Sequence, residues 1–171
     1  MILVANHASL LDGVLIHASC RRPLRIFIAG EWADWWPIRR LARVMGAIRV
    51  ERDRANPDAF GAALAAIERG DAVALFPEGG IQAGGGLGSF RNGAARLALR
   101  TGAPVFPCAI IGSFDALPWP RRFPRPRRIT VRCGQPLRFS APSGRASLND
   151  FAAVSEKIRE AVRGLILLGH G

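Results

Sequence analysis

Apolar positions along this chain alternate between short unbroken runs and longer stretches where they recur every three or four residues. The runs at 2–5, 24–29, 71–76 and 104–111 are apolar almost throughout, the pattern of strands covered on both faces. Shorter runs at 47–50 and 129–133 read as further strands. Helical spacing predicts helices over 10–18 and 32–45, the latter with Ile38, Leu41, Ala42 and Met45 on one face and Gly46 ending it. Asn56-Pro57-Asp58 predicts a helix start with Asn56 as side-chain cap, and Gly70 closes that helix after Phe60, Leu64 and Ile67. Another helix is predicted over 92–100, stopped by Gly102. A final amphipathic helix spans 148–167, with Phe151, Val154, Ile158, Ala161, Val162 and Leu165 inward. Strand and helix alternate throughout, which predicts an α/β fold: one domain over 1–171 with a largely parallel mixed sheet flanked by helices. A chain of 171 residues with 49% apolar content is long enough for such a core.

Two stretches break the pattern. Residues 79–88 are glycine-rich and read as a lid or spacer. In the frame starting at Gly84, Ser89 takes the third glycine's place of a dinucleotide fingerprint, and no Gly-Lys-Ser/Thr follows to make a P-loop. There is also no G-x-S-x-G elbow of the serine hydrolases. Residues 113–127 are rich in proline and arginine, an excursion inside the one domain.

Charge narrows the partners. The formal net charge is +11, from 24 basic and 13 acidic residues, and Lys157 is the only lysine. This favours anionic partners, and arginine grips phosphate with two parallel bonds. Cys20, Cys108 and Cys133 are too few and too scattered for a disulfide framework, and with His7, His17 and His170 they lack zinc spacing, so no metal is expected. No apolar run approaches the length needed to cross a bilayer.

The candidate chemistry gathers at strand ends. His7 and Asp12 follow the run Ile2-Leu3-Val4-Ala5 directly. Imidazole is suited to taking a proton near neutral pH, and a carboxylate on its second nitrogen fixes the tautomer. The same spacing also fits a solvated or helix-capping pair. Arg52 falls just past the strand at 47–50, where it suits a phosphate as well as an ordinary exposed position. Glu78 and Gly79 follow the strand at 71–76, at a turn where a carboxylate meets substrate hydroxyls and glycine admits close approach.

Together these blocks form an ordered set. Asn6-His7-Ala8-Ser9-Leu10-Leu11-Asp12 resembles the N-H-x-S-x-x-D block of the glycerolipid acyltransferases, the family of 1-acyl-glycerol-3-phosphate acyltransferases. Residues 46–52, Phe76-Pro77-Glu78-Gly79 and 104–110 are similar to that family's second, third and fourth blocks, in the same order. The resemblance implies a glycerol-3-phosphate acyltransferase-like fold and acyl transfer to a lysophospholipid hydroxyl, giving phosphatidic acid from 1-acyl-sn-glycerol-3-phosphate. Acyl-CoA or acyl-carrier protein would be the co-substrate, with no cofactor. It implies His7 as general base oriented by Asp12, with Arg52, Glu78, Gly79, Asn6 and Ser9 in substrate binding. Gly80 departs from the usual Thr or Ser of the third block and removes a hydroxyl.

The resemblance also implies a peripheral position on the cytoplasmic face of an anionic membrane. The family often carries helical segments ahead of the first block that assist seating; this sequence opens straight into the strand before that block, so reduced membrane affinity, or seating through other surfaces, is expected. Trp32, Trp35 and Trp36 fit either a membrane interface or the core. Arg121, Arg122, Arg125, Arg127 and Arg128, interleaved with prolines near Trp119 and Phe123, fit a contact patch or a solvated loop. Glycerol-3-phosphate and a lyso-ornithine lipid stay open as acceptors. The charge alone would also suit a nucleic-acid-binding protein, but the aromatic signature of RNA binding is missing and no nucleic acid is expected.

Overall fold

The computed structural model describes residues 1–51, 56–121, 123–142 and 144–169. The strands are β1 (Ile2–Ala5), β2 (Leu24–Ala29), β3 (Ile48–Val50), β4 (Ala72–Leu75), β5 (Val105–Ile111) and β6 (Thr130–Cys133). They form one sheet in the order β3-β2-β4-β1-β5-β6. Every neighbouring pair runs parallel except β5 and β6. The helices are α1 (Asp12–Ser19), α2 (Gly30–Ala33), α3 (Trp36–Val44), α4 (Pro57–Glu68), α5 (Gly93–Thr101), α6 (Ser113–Ala116) and α7 (Leu148–Leu167).

The unbroken apolar run of β1 is explained by its central place, because side chains on both faces are covered. Ile2 and Val4 join Val73, Leu75 and Val105 beneath α4, α5 and α7, represented by Ala63, Ala66, Leu97 and Ile158. Leu3 and Ala5 face the other way, with Ile26, Ala74, Cys108 and Ile110 against Ile16 of α1 and Met45 just past α3. Fully buried side chains such as Ile2, Ile16, Leu97 and Ile158 each contribute about 1.5–3 kcal/mol of transfer free energy. The predicted α/β architecture is therefore the observed one.

Local departures have local causes. The single helix expected over 32–45 is two, α2 and α3, joined through an extended Trp35. Pro37 has no N–H to offer a preceding turn, so the helix restarts with it in the first turn. Gly46 does end α3, at φ +59, and a Cβ there would collide with the Arg25 side chain. Asn56 precedes α4 but makes no side-chain cap; its amide instead bonds the Glu51 N–H and carbonyl, both at 2.7 Å. α7 begins as expected, on a capping box between Ser147 and Asp150.

The strand order decides where chemistry is possible. β4 lies between β2 and β1, so the residues following β1 and β4 leave the sheet side by side at its carboxyl edge. Open α/β sheets bind ligands at that edge.

Candidate active site

The chain leaves the sheet at Asn6, and the Asn6 side chain makes that exit possible. Its Oδ1 accepts from Ile110 N–H at 2.8 Å and its Nδ2 donates to Ile110 carbonyl at 3.0 Å. The amide thus satisfies β5 groups that the departing backbone of β1 no longer reaches. His7 follows immediately, past the strand end. Ser9 is likewise buried and internally bonded, its hydroxyl donating to Leu117 carbonyl at 2.9 Å and accepting from Leu11 N–H at 3.2 Å. Neither Asn6 nor Ser9 lines the cavity described below. Both hold backbone.

Asp12, the first residue of α1, is 0% exposed. Its Oδ2 accepts from Ala8 N–H at 2.7 Å and Ser9 N–H at 2.8 Å, and lies 2.9 Å from His7 Nδ1. An acceptor-only oxygen requires the proton on Nδ1, which leaves the lone pair on Nε2. The same oxygen thus holds the turn before α1 and the orientation of the His7 ring.

The β4 end secures the histidine from the other side. The Phe76 ring stacks on the His7 ring at 4.3 Å between centroids and 20° between planes. Glu78 Oε1 accepts from His7 N–H at 3.0 Å, and Gln82 N–H donates to His7 carbonyl at 2.8 Å. Glu78 Oε2 accepts from Gly88 N–H at 3.3 Å. Burial pushes the Glu78 carboxyl above the usual range, opposed by the hydrogen bonds from His7 and Gly88. Glu78, expected to meet substrate hydroxyls, is buried and ties the turn after β4 to the turn after β1. The glycine-rich segment is tied down as well, which a free spacer would not be. Gly88 carbonyl accepts from Arg159 Nε of α7 at 3.0 Å, and Gly85, at φ +70, sits so close to Phe114 that a Cβ would lie 2.8 Å from its ring.

His7, with its side chain 19% exposed, lines a cavity of about 890 Å3 along the carboxyl edge. One part of the wall is apolar, from Val14, Ile26, Trp32, Leu41 and Met45 among others. Another carries Gly79, Gly80, Arg91, Asn92 and Arg96, at and before the start of α5. Gly79, at φ +77, lets Arg91 lie across it; a Cβ would stand 2.6 Å from Arg91 Nε. Arg52 lies outside the described residues. Arg91 and Arg96 belong to none of the four sequence blocks, yet both line the cavity. The available signal was an arginine directly ahead of a helix start, where anions are favoured. Among the described residues, no three or more His, Cys, Asp or Glu side chains gather as a metal would require.

A largely parallel sheet thus carries an imidazole–carboxylate pair at its carboxyl edge, beside a cavity both apolar and cationic. The chain belongs to the acyltransferase family, whose model matches residues 1–111. It is similar to a 1-acyl-sn-glycerol-3-phosphate acyltransferase of Cocos nucifera, 31% identical over 144 residues, covering 80% of this chain and 46% of that protein. It is 32% identical over 120 residues to a chloroplastic 1-acyl-sn-glycerol-3-phosphate acyltransferase of Brassica napus, covering 68% of this chain and 34% of the other. The chain thus spans less than half the length of these curated relatives. Among solved structures it is similar to the 1-acyl-sn-glycerophosphate acyltransferase PlsC of Thermotoga maritima, with TM-score 0.74, 25% identity, and coverage of 96% of this chain and 66% of that one.

Proposed function

We propose that the protein transfers a fatty acyl group from a thioester, acyl-CoA or acyl-carrier protein, to the free hydroxyl of 1-acyl-sn-glycerol-3-phosphate, giving phosphatidic acid. The observation that carries this reading is the His7–Asp12 pair, 2.9 Å apart, on a cavity that joins apolar walls to Arg91 and Arg96. Such a cavity suits a lipid with one charged end. His7 Nε2 takes the proton of the acceptor hydroxyl as its oxygen attacks the thioester carbonyl. Asp12 steadies the imidazolium. Collapse of the tetrahedral intermediate breaks the carbon–sulfur bond, and the imidazolium returns the proton to the departing thiolate. No acyl-enzyme forms. Positioned proton transfer of this kind supplies about 10²–10⁴-fold in rate.

Arg91 anchors the acceptor's phosphate, a role shared with Arg52, and the start of α5 favours the same charge. Gly80 lines the cavity where the family usually carries a hydroxyl, which keeps glycerol-3-phosphate and a lyso-ornithine lipid as further acceptors to be assayed. The acceptor is a membrane lipid, and the reading extends to a peripheral protein on the cytoplasmic face of the membrane. Among the described residues, no helix is long and apolar enough to cross a membrane. The test is thiol release across a panel of lysolipids with both donors, His7→Ala serving as blank. Release with lysophosphatidic acid that vanishes in His7→Ala is the expected result; equal release by the variant overturns the assignment.

A further inference from the structure

The segment following β2 leaves much apolar surface in water. In α3, Trp36 is 79% exposed and Val44 84% exposed, with Arg40 between them at four-residue spacing. Arg39 and Arg43 are exposed beside them, and the helix carries no acidic residue. Trp35 and Trp119 are also exposed. The Trp32 ring meets both edge-on, at 5.8 Å and 5.3 Å, so these rings form one cluster. Trp119 in turn opens the loop that carries the exposed Arg121, Arg125, Arg127 and Arg128. The acids nearby are few, and Asp34 is paired with Arg49 at 2.7 Å.

This surface is continuous with the cavity. Trp32, Ile38, Leu41 and Met45 line the wall, while Leu41, with Val14 of α1, is also exposed to solvent. α3 therefore presents one side to the cavity and the other to its surroundings. Tryptophan with arginine on a short amphipathic helix is the composition that lies in a lipid interface, rings among the acyl chains and guanidinium groups among the phosphates.

We infer that α2 and α3, with Trp119 beside them, are the surface on which the protein docks to an anionic phospholipid bilayer, so that the cavity mouth at Val14, Leu41 and Trp32 opens onto lipid. This rests on the lipid-acceptor reading for its purpose, but its test does not. An acidic protein would meet the arginines equally well. The protruding Trp36 and Val44, next to an apolar cavity mouth, favour lipid as the occupant.

The test is flotation of the full chain with vesicles of phosphatidylcholine, with and without phosphatidylglycerol. The wild type should float with the anionic vesicles and be released by salt. Replacing Arg39, Arg40 and Arg43 by Gln should weaken partitioning on the order of 100-fold, about fivefold for each arginine. Trp36→Ser with Val44→Ser should weaken it too; both positions are so exposed that the fold is undisturbed. None of these five residues lines the cavity. Thiol release from a short-chain lysolipid dissolved as monomers should persist in both variants, while release with the same headgroup embedded in vesicles should fall. Wild-type protein that ignores anionic vesicles, or variants that float like it, overturns the inference. So does loss of binding to acyl-carrier protein in the arginine variant with flotation intact. Flotation without thiol release from any lysolipid would sink the proposed reaction and leave the docking surface standing.

Discussion

Asp12→Asn isolates the charge that steadies His7. The oxygen at the Oδ2 position can still accept from Ala8 N–H, Ser9 N–H and His7 Nδ1, so ring and tautomer stay in place. What is lost is the negative charge opposite the developing imidazolium. Two unit charges about 4 Å apart at an effective dielectric near 20 attract by about 4 kcal/mol. The amide dipole keeps part of this, so the barrier rises by about 2–4 kcal/mol and kcat falls roughly 30- to 1,000-fold. KM for the lysolipid should hardly move, because Asp12 does not line the cavity. The new amide NH2 takes the place of Oδ1, which is buried without a partner, so stability drops by about 1–3 kcal/mol. The assay is steady-state thiol release by Asp12→Asn, His7→Ala and the double variant, with urea unfolding to establish that each is folded. In the proposed mechanism Asp12 acts through His7, so the double variant should fall no further than His7→Ala alone. A folded Asp12→Asn within about threefold of wild type, well short of the barrier rise worked out above, would refute the reasoning. So would losses that multiply in the double variant.

Arg91→Gln should raise KM for the lysolipid roughly 5- to 30-fold with a smaller change in kcat, the effect of losing about 1–2 kcal/mol of charge-assisted bonding at an exposed site; unchanged KM removes Arg91 from phosphate binding. Asn6→Ala should cost about 2–4 kcal/mol in urea unfolding, since it strands a buried N–H and a carbonyl of Ile110; a cost under about 1 kcal/mol contradicts the bridging role. Because burial raises the Glu78 carboxyl in the folded protein, its contribution to stability is complete below its ordinary value of 4.5 and is lost as pH rises through the higher folded value. Wild type should therefore lose stability relative to Glu78→Gln as pH increases through that window, and a difference that stays flat or reverses sign refutes it. Cys133 faces Cys108 across the β5–β6 pair, and the neighbouring thiol holds Cys133 below the usual thiol range. The midpoint of its alkylation by iodoacetamide should therefore lie below that of an ordinary thiol and shift upward in Cys108→Ala; a midpoint unchanged by the substitution would exclude the thiol pair as the cause.

Much of the fold was legible because periodicity is a local property. The runs that became β1 and β2, and the stripe of α7, needed only the alternation of covered and exposed faces. Gly46 and Gly102 were readable as helix stops, because a left-handed residue after a helix favours glycine. The His7–Asp12 pair was readable too, its two members lying five residues apart on one strand-to-helix turn. The break between α2 and α3 was less so, since it depends on how Pro37 interrupts an otherwise continuous helical pattern.

The neighbours of that pair were decided at long range. Nothing in Phe76-Pro77-Glu78 says that the carboxylate turns inward to a backbone N–H 71 residues away. Nor does Asn6 announce that its amide stands in for sheet pairing with Ile110. Those roles exist because β1 is placed between β4 and β5, which brings two strand ends together and leaves backbone groups that some side chain must satisfy. Local periodicity was enough for the strands, for most of the helices and for the pairing of His7 with Asp12. Which polar residues hold the frame and which face the cavity depends on the three-dimensional packing, because a buried N–H or carbonyl takes the nearest partner regardless of any other chemistry open to it.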